Sequence, residues 1–69
     1  MTWKDAIIAV LEEEGTPMHY RDITQKILDK KYKPHSGATP EMTVSNQLTT
    51  NPDLFRKVSL GVYELVKHL

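Results

Sequence analysis

Two breaks in the chain do most to restrict its fold. Gly15-Thr16-Pro17 ends any helix begun upstream, because glycine accepts the left-handed cap conformation and proline cannot continue the hydrogen-bond ladder. Asn51-Pro52 repeats the effect later, since the residue before a proline is pushed out of the α region. Between them "YKPHSGAT" is a turn-rich connector punctuated by Pro34 and Gly37. The chain is thereby parcelled into short elements, each of which must find its partners elsewhere in the sequence.

The segment before the first break carries Trp3, Ala6, Ile7, Val10 and Leu11 at i, i+3, i+4, i+7 and i+8, with Thr2 placed to cap it. That spacing predicts a helix with one core-facing stripe. "MHY" follows as three residues of extended character, too short to stand alone but able to pair at a sheet edge. A second helix, roughly "YRDITQKILDKK", sets Ile23, Ile27 and Leu28 on one face. Arg21, Asp22, Gln25, Lys26 and Asp29 lie mostly on the other, and Lys30 and Lys31 sit at the negative end of its dipole. A third helix starts with Thr39 as N-cap, Pro40 at the first helical position and Glu41 in the first turn, and ends at Asn51-Pro52. Beyond it, "LFRKVSLGVYELV" alternates Phe55 and Lys57 against Arg56 and Val58, then Val62 and Glu64 against Tyr63 and Leu65. The two runs meet at Leu60-Gly61 and read as a β-hairpin. No repeat, low-complexity segment or linker interrupts this order.

Length and composition narrow the mechanism. At 69 residues the chain predicts a single domain over 1–69, and a chain of this size buries only about 60% of the surface it exposes when unfolded. Cysteine is absent, so disulfides, thiolate zinc sites and cysteine nucleophiles are unavailable. The predicted core is Trp3, Ile7, Val10, Leu11, Ile23, Ile27, Leu28, Val44, Leu48, Phe55 and Leu65, with Tyr63 packing as well. No apolar run approaches the ~18 residues of a membrane span, and the N-terminus carries acids where a signal peptide needs a basic start. A soluble intracellular protein with no membrane partner is the expectation, placed in bacterial cytoplasm or nucleoid, or in a nucleus.

Nine basic and nine acidic side chains cancel, so net charge argues for no general attraction to nucleic acid. Their distribution is uneven. Residues 1–25 carry two basic and five acidic groups, a balance of −3, whereas residues 26–69 carry seven and four, a balance of +3. One face suited to phosphates is the implication.

Helix, extended stub, helix, helix, strand, strand is the order of a winged helix-turn-helix: mainly α, three helices plus a two- to three-stranded antiparallel wing. "TWKDAIIAVLEEEGTPMHYRDITQKIL", "GATPEMTVSNQL" and "FRKVSLGVYEL" together resemble the HARE-HTH family of winged helix domains. The resemblance runs from Trp3 to about Leu65. Its most specific pieces are "TPMHYRDI", the "TPE" helix start, and a phenylalanine followed by a glycine turn and Tyr63-Glu64-Leu65. Members of this family occur in the delta subunit of bacterial RNA polymerase, in chromatin-associated scaffold proteins and fused to restriction endonucleases. The resemblance therefore implies binding of double-stranded DNA, or recruitment of RNA polymerase or another protein partner to it, without catalysis and without a cofactor. A specificity domain of a larger restriction or modification enzyme is a further reading.

In a winged helix the third helix lies in the major groove, and "TPEMTVSNQLTTNP" has the polar outward face this requires. Val44 and Leu48 share its inner side. Thr43, Asn46 and Thr50 cluster opposite with Gln47 and Thr49 at the flanks, which makes Thr43, Asn46, Gln47 and Thr50 the candidate base contacts. Asn and Gln bond adenine bidentately, and the helix has no Arg or Lys for guanine. The plain alternative is a solvated helix face. Candidate phosphate contacts are Lys30, Lys31, Lys33 and His35 before the helix, Ser36 and Thr39 at its N-terminus, and Arg56 and Lys57 on the wing. The alternative for these is an ordinary lysine cluster. Seven basic groups among four acids imply weak binding, about micromolar or worse at physiological salt.

Catalytic and metal readings find little support. His19, His35 and His68 never pair at i+3 or i+4, and no carboxylate completes a ligand set. Glu12, Glu13 and Glu14 read as a solvated helix end, and no serine sits in a nucleophile motif. Tyr20 and Tyr32 are candidates to stack bases of a single strand, whereas Trp3 and Tyr63 read as packing residues.

Overall fold

The computed structural model describes residues 2–33 and 40–66. Among these, the order is α1 (Trp3–Glu14), β1 (Met18–His19), α2 (Tyr20–Asp29), α3 (Pro40–Thr50), β2 (Phe55–Ser59) and β3 (Val62–Leu65). The strands form an antiparallel sheet in the order β1-β3-β2, so the N-terminal stub pairs with the last strand. Three helices and a three-stranded antiparallel sheet in this order are those of a winged helix-turn-helix.

The helix boundaries follow from local chemistry. Thr2 accepts the Asp5 N–H on its hydroxyl at 3.1 Å, and Gly15 closes α1 at φ 70° with its N–H on the Leu11 carbonyl at 2.9 Å. At α2 the structure departs from expectation. The extended segment stops at His19, because Tyr20 already belongs to the helix and the His19 imidazole acts as its N-cap, Nδ1 accepting from Arg21 N–H at 3.2 Å. The C-terminal end also comes earlier than Lys31. That residue turns left-handed at φ 59°, while its N–H bonds the Leu28 carbonyl at 3.1 Å and the Tyr32 N–H bonds that of Ile27 at 3.0 Å. For α3, Pro40 is the first helical residue as expected and Thr50 the last; the Thr39 cap lies outside the described residues.

One core joins the elements. Ala6, Ile7, Val10, Leu11, Ile23, Ile27, Val44, Leu48, Phe55 and Tyr63 are buried together, with Trp3 and Leu65 half-buried against them. Leu28 is a correction: it is half-buried and outside this cluster, since it lies one helical step round from Ile27. Ala6 takes a core place instead. Thr24 is also buried, and donating its hydroxyl to the Tyr20 carbonyl at 2.8 Å removes the cost of an unpaired polar group.

The hairpin turns at Leu60-Gly61 as the sequence predicts, but its register shifts within β2. Phe55 faces Leu65, Arg56 faces Glu64 and Lys57 faces Tyr63, whereas Ser59 faces Val62, so a bulge absorbs Val58.

Candidate nucleic-acid interface

Helix α3 packs with Val44 and Leu48 inward, both essentially inaccessible. Asn46, Thr49 and Thr50 are exposed, while Thr43, Ser45 and Gln47 are half-buried along the flanks. The polar face thus centres on Asn46 and Thr50, with Thr43 and Gln47 beside the buried pair. Met42 joins it at 61% exposure, a large apolar side chain in the first turn of the helix.

Hydrogen bonds along the helix limit what this face offers to a partner. The Thr50 hydroxyl donates to the Asn46 carbonyl at 2.7 Å, and Thr49 donates to the carbonyls of Ser45 and Asn46, both at 3.1 Å. Those protons are used, so each hydroxyl is left as an acceptor beside an unspent methyl. The Asn51 amide donates to the Gln47 backbone carbonyl at 2.7 Å and to its side-chain oxygen at 3.3 Å. Gln47 is thereby held by its acceptor end. Its amide NH₂ remains as donor, and Asn46 is the amide that keeps both functions for a bidentate contact.

The basic residues divide into engaged and unengaged groups. Lys30 Nζ lies 2.9 Å from Glu13 Oε1, and Arg56 binds Glu64, its Nε 2.6 Å from Oε2. Lys33 places its ammonium 5.8 Å from the centre of the Trp3 ring, a cation–π contact. Lys31 and Lys57 are exposed. His35, Ser36 and Thr39 lie outside the described residues, so the N-terminal approach to α3 is built from Lys30, Lys31 and Lys33 alone.

The Lys30 contact belongs to a wider network. The Tyr32 hydroxyl donates to the second carboxylate oxygen of Glu13. Lys30 first, then Tyr32, holds the Glu13 carboxyl below its ordinary value of 4.5. In return the Glu13 carboxylate raises both Lys30 and Tyr32 above theirs. The network ties the end of α2 to the end of α1, and it neutralises one of the three glutamates there. Lys26 approaches another, Glu14, at 3.8 Å.

Sequence reasoning missed these pairings. The Glu13–Lys30 pair has no local spacing to reveal it. Met42 carried a signal, being apolar yet off the Val44–Leu48 side of the wheel. Among the described residues no group of three His, Asp or Glu gathers to hold a metal, and no helix is long and apolar enough to cross a membrane.

A family model described as HARE-HTH, a helix-turn-helix domain of ASXL and restriction endonuclease proteins, matches residues 1–67. No curated protein and no solved structure matches the chain.

Proposed function

From the chain's membership of the HARE-HTH family, a DNA-binding helix-turn-helix type of domain, we propose that it binds duplex DNA with α3 in the major groove and the β2–β3 wing on the backbone. The observation that carries this reading is the division of α3. Only Val44 and Leu48 are spent on the core, and the rest of an eleven-residue helix presents amides, hydroxyls and Met42 outward. Asn46 is the principal base contact, with Gln47, Thr43 and Thr50 in support. Lys31 and Lys57 meet phosphates, Lys33 assists, and Lys30 and Arg56 do so only after leaving their carboxylate partners. Affinity is accordingly weak, and the module works inside the cell in transcription, chromatin or restriction-modification, without catalytic chemistry of its own.

Protein docking onto RNA polymerase or a chromatin complex is the second reading. The pre-paired state of Lys30 and Arg56 and the zero net charge favour it. Titrating labelled duplexes against the chain, with residue-by-residue NMR at two salt concentrations, separates the two. DNA binding predicts shifts on α3 and the wing that weaken with salt. In the same assay Asn46→Ala should alter preference among sequences by about 1–3 kcal/mol while stability stays within about 0.5 kcal/mol. Absence of any duplex-dependent shift leaves the docking reading.

A further inference from the structure

The wing ends in an apolar tip. Leu60 is 87% exposed and Val58, the bulged residue, 51%. Single exposed apolar side chains are ordinary on protein surfaces. What sets Leu60 apart is the backbone beneath it. Gly61 sits at φ 74°, its carbonyl receives the Tyr20 N–H at 2.9 Å, and its Cα is roofed by the His19 ring so closely that a Cβ would meet Nε2 at 2.7 Å. His19 is itself fixed, as the N-cap of α2 and by stacking on Tyr20 at 4.5 Å. The tip is therefore anchored to the body of the domain at three points. From Phe55 to Tyr63 the wing also carries Arg56 and Lys57 and no acid, a balance complementary to phosphate.

We propose that Leu60 is an apolar wedge that enters the minor groove and partly unstacks a base step, so that the module bends the duplex it binds. This rests on the DNA-binding reading above. Leucine is among the side chains able to open a step in this way, and only a tip on a fixed support can transmit the force. Reach is sufficient: Leu60 lies five residues from the root of the wing at Phe55, about 16 Å at about 3.3 Å per residue. Both grooves are narrower, at about 12 and 6 Å. Because β2 follows α3 after residues 51–54, the wing lies beside the helix assigned to the major groove, and its tip meets the neighbouring groove. Pyrimidine–purine steps, which unstack most readily, are the expected targets.

The test uses a duplex of about 25 base pairs with a central TA step and a donor and acceptor dye at its two ends. Wild-type chain should raise energy transfer as the ends approach. Leu60→Ala, and Leu60→Gln as a length-preserving polar variant, should keep the unfolding midpoint of the parent, bind about three- to tenfold more weakly and leave the duplex straight. A wild-type complex that stays straight, or variants that bend it equally, overturns the wedge while leaving DNA binding intact. Failure of wild type to bind any duplex removes the DNA reading and the wedge with it. Concentration-dependent self-association in sedimentation that Leu60→Gln abolishes assigns the tip to a second copy of the chain and likewise overturns it.

Discussion

Replacing Gly61 by alanine should destabilise the domain through two separable effects. The first is intrinsic: at φ 74° an L-residue crowds its own carbonyl, at a cost of about 1–2 kcal/mol. The second is imposed by His19, whose Nε2 would stand 2.7 Å from the new Cβ and whose Cδ2 would stand 3.0 Å away. A side-chain tip usually yields cheaply, but this ring must abandon the N–H of Arg21 to do so. Loss of an N-cap costs about 0.5–2 kcal/mol. Gly61→Ala is thus worth about 1.5–4 kcal/mol, a large share of the stability of a domain this size. At about 4–8 °C per kcal/mol, the midpoint should fall by at least about 6 °C. The assay is thermal and urea unfolding of wild type, Gly61→Ala, His19→Ala and the double variant. With the imidazole gone, Gly61→Ala should cost only its intrinsic part, leaving a coupling of about 0.5–2 kcal/mol between the two sites. An equal cost in both backgrounds would refute the idea that His19 and the wing turn are mechanically linked.

Leu48→Ala should cost about 2–5 kcal/mol, because the residue is 1% exposed and its neighbours come from several elements; a midpoint that hardly moves would contradict the single core. Glu13→Gln should flatten the acid limb of stability against pH. The folded carboxyl titrates below 4.5, so its contribution is present above that value and disappears as pH falls through the lowered folded value. An unchanged acid limb would show that the network contributes nothing. On the wing, Lys57→Ala should weaken duplex binding and reduce its salt slope, whereas Glu64→Gln should strengthen binding by releasing Arg56. A Glu64→Gln variant that binds no better would mean that Arg56 is not a phosphate contact.

The parts of the fold legible in the sequence are those set by near neighbours. Thr2, Gly15, Pro40 and Asn51-Pro52 mark helix ends through their own backbone chemistry, and the apolar stripes between them identify the inner faces. His19 was illegible for a physical reason: histidine is seldom a cap, and here it qualifies only because one ring nitrogen is free to accept. Arg56–Glu64 was hidden by the bulge. A regular ladder from Leu60-Gly61 would set Arg56 against Leu65 and Lys57 against Glu64, and one extra residue moves the carboxylate to the arginine. The polar face of α3 was readable as a face, yet the hydroxyl bonds of Thr49 and Thr50 were not, since they depend on rotamer choice rather than on spacing. Tyr32 on Glu13 joins residues from two helices that only the packed structure brings together.

The two-residue strand β1 has a consequence for the order of assembly. Met18 pairs with Tyr63 and His19 with Val62, residues that are far apart along the chain, whereas α1 and α2 are nearest neighbours in it. The helices can therefore meet early through short loop closure, but the sheet must wait for the longest closure in the domain. On a ribosome, residues 3–29 emerge with their apolar stripes available to each other while β1 still lacks its partner. Tyr63, which sits in the core and in the strand that joins β1 to β2, is the residue on which both events converge. The last stretch to be synthesised is thus what turns a loose pair of helices into a cooperative unit, and the wing reaches its working geometry at the same moment as the body that supports it.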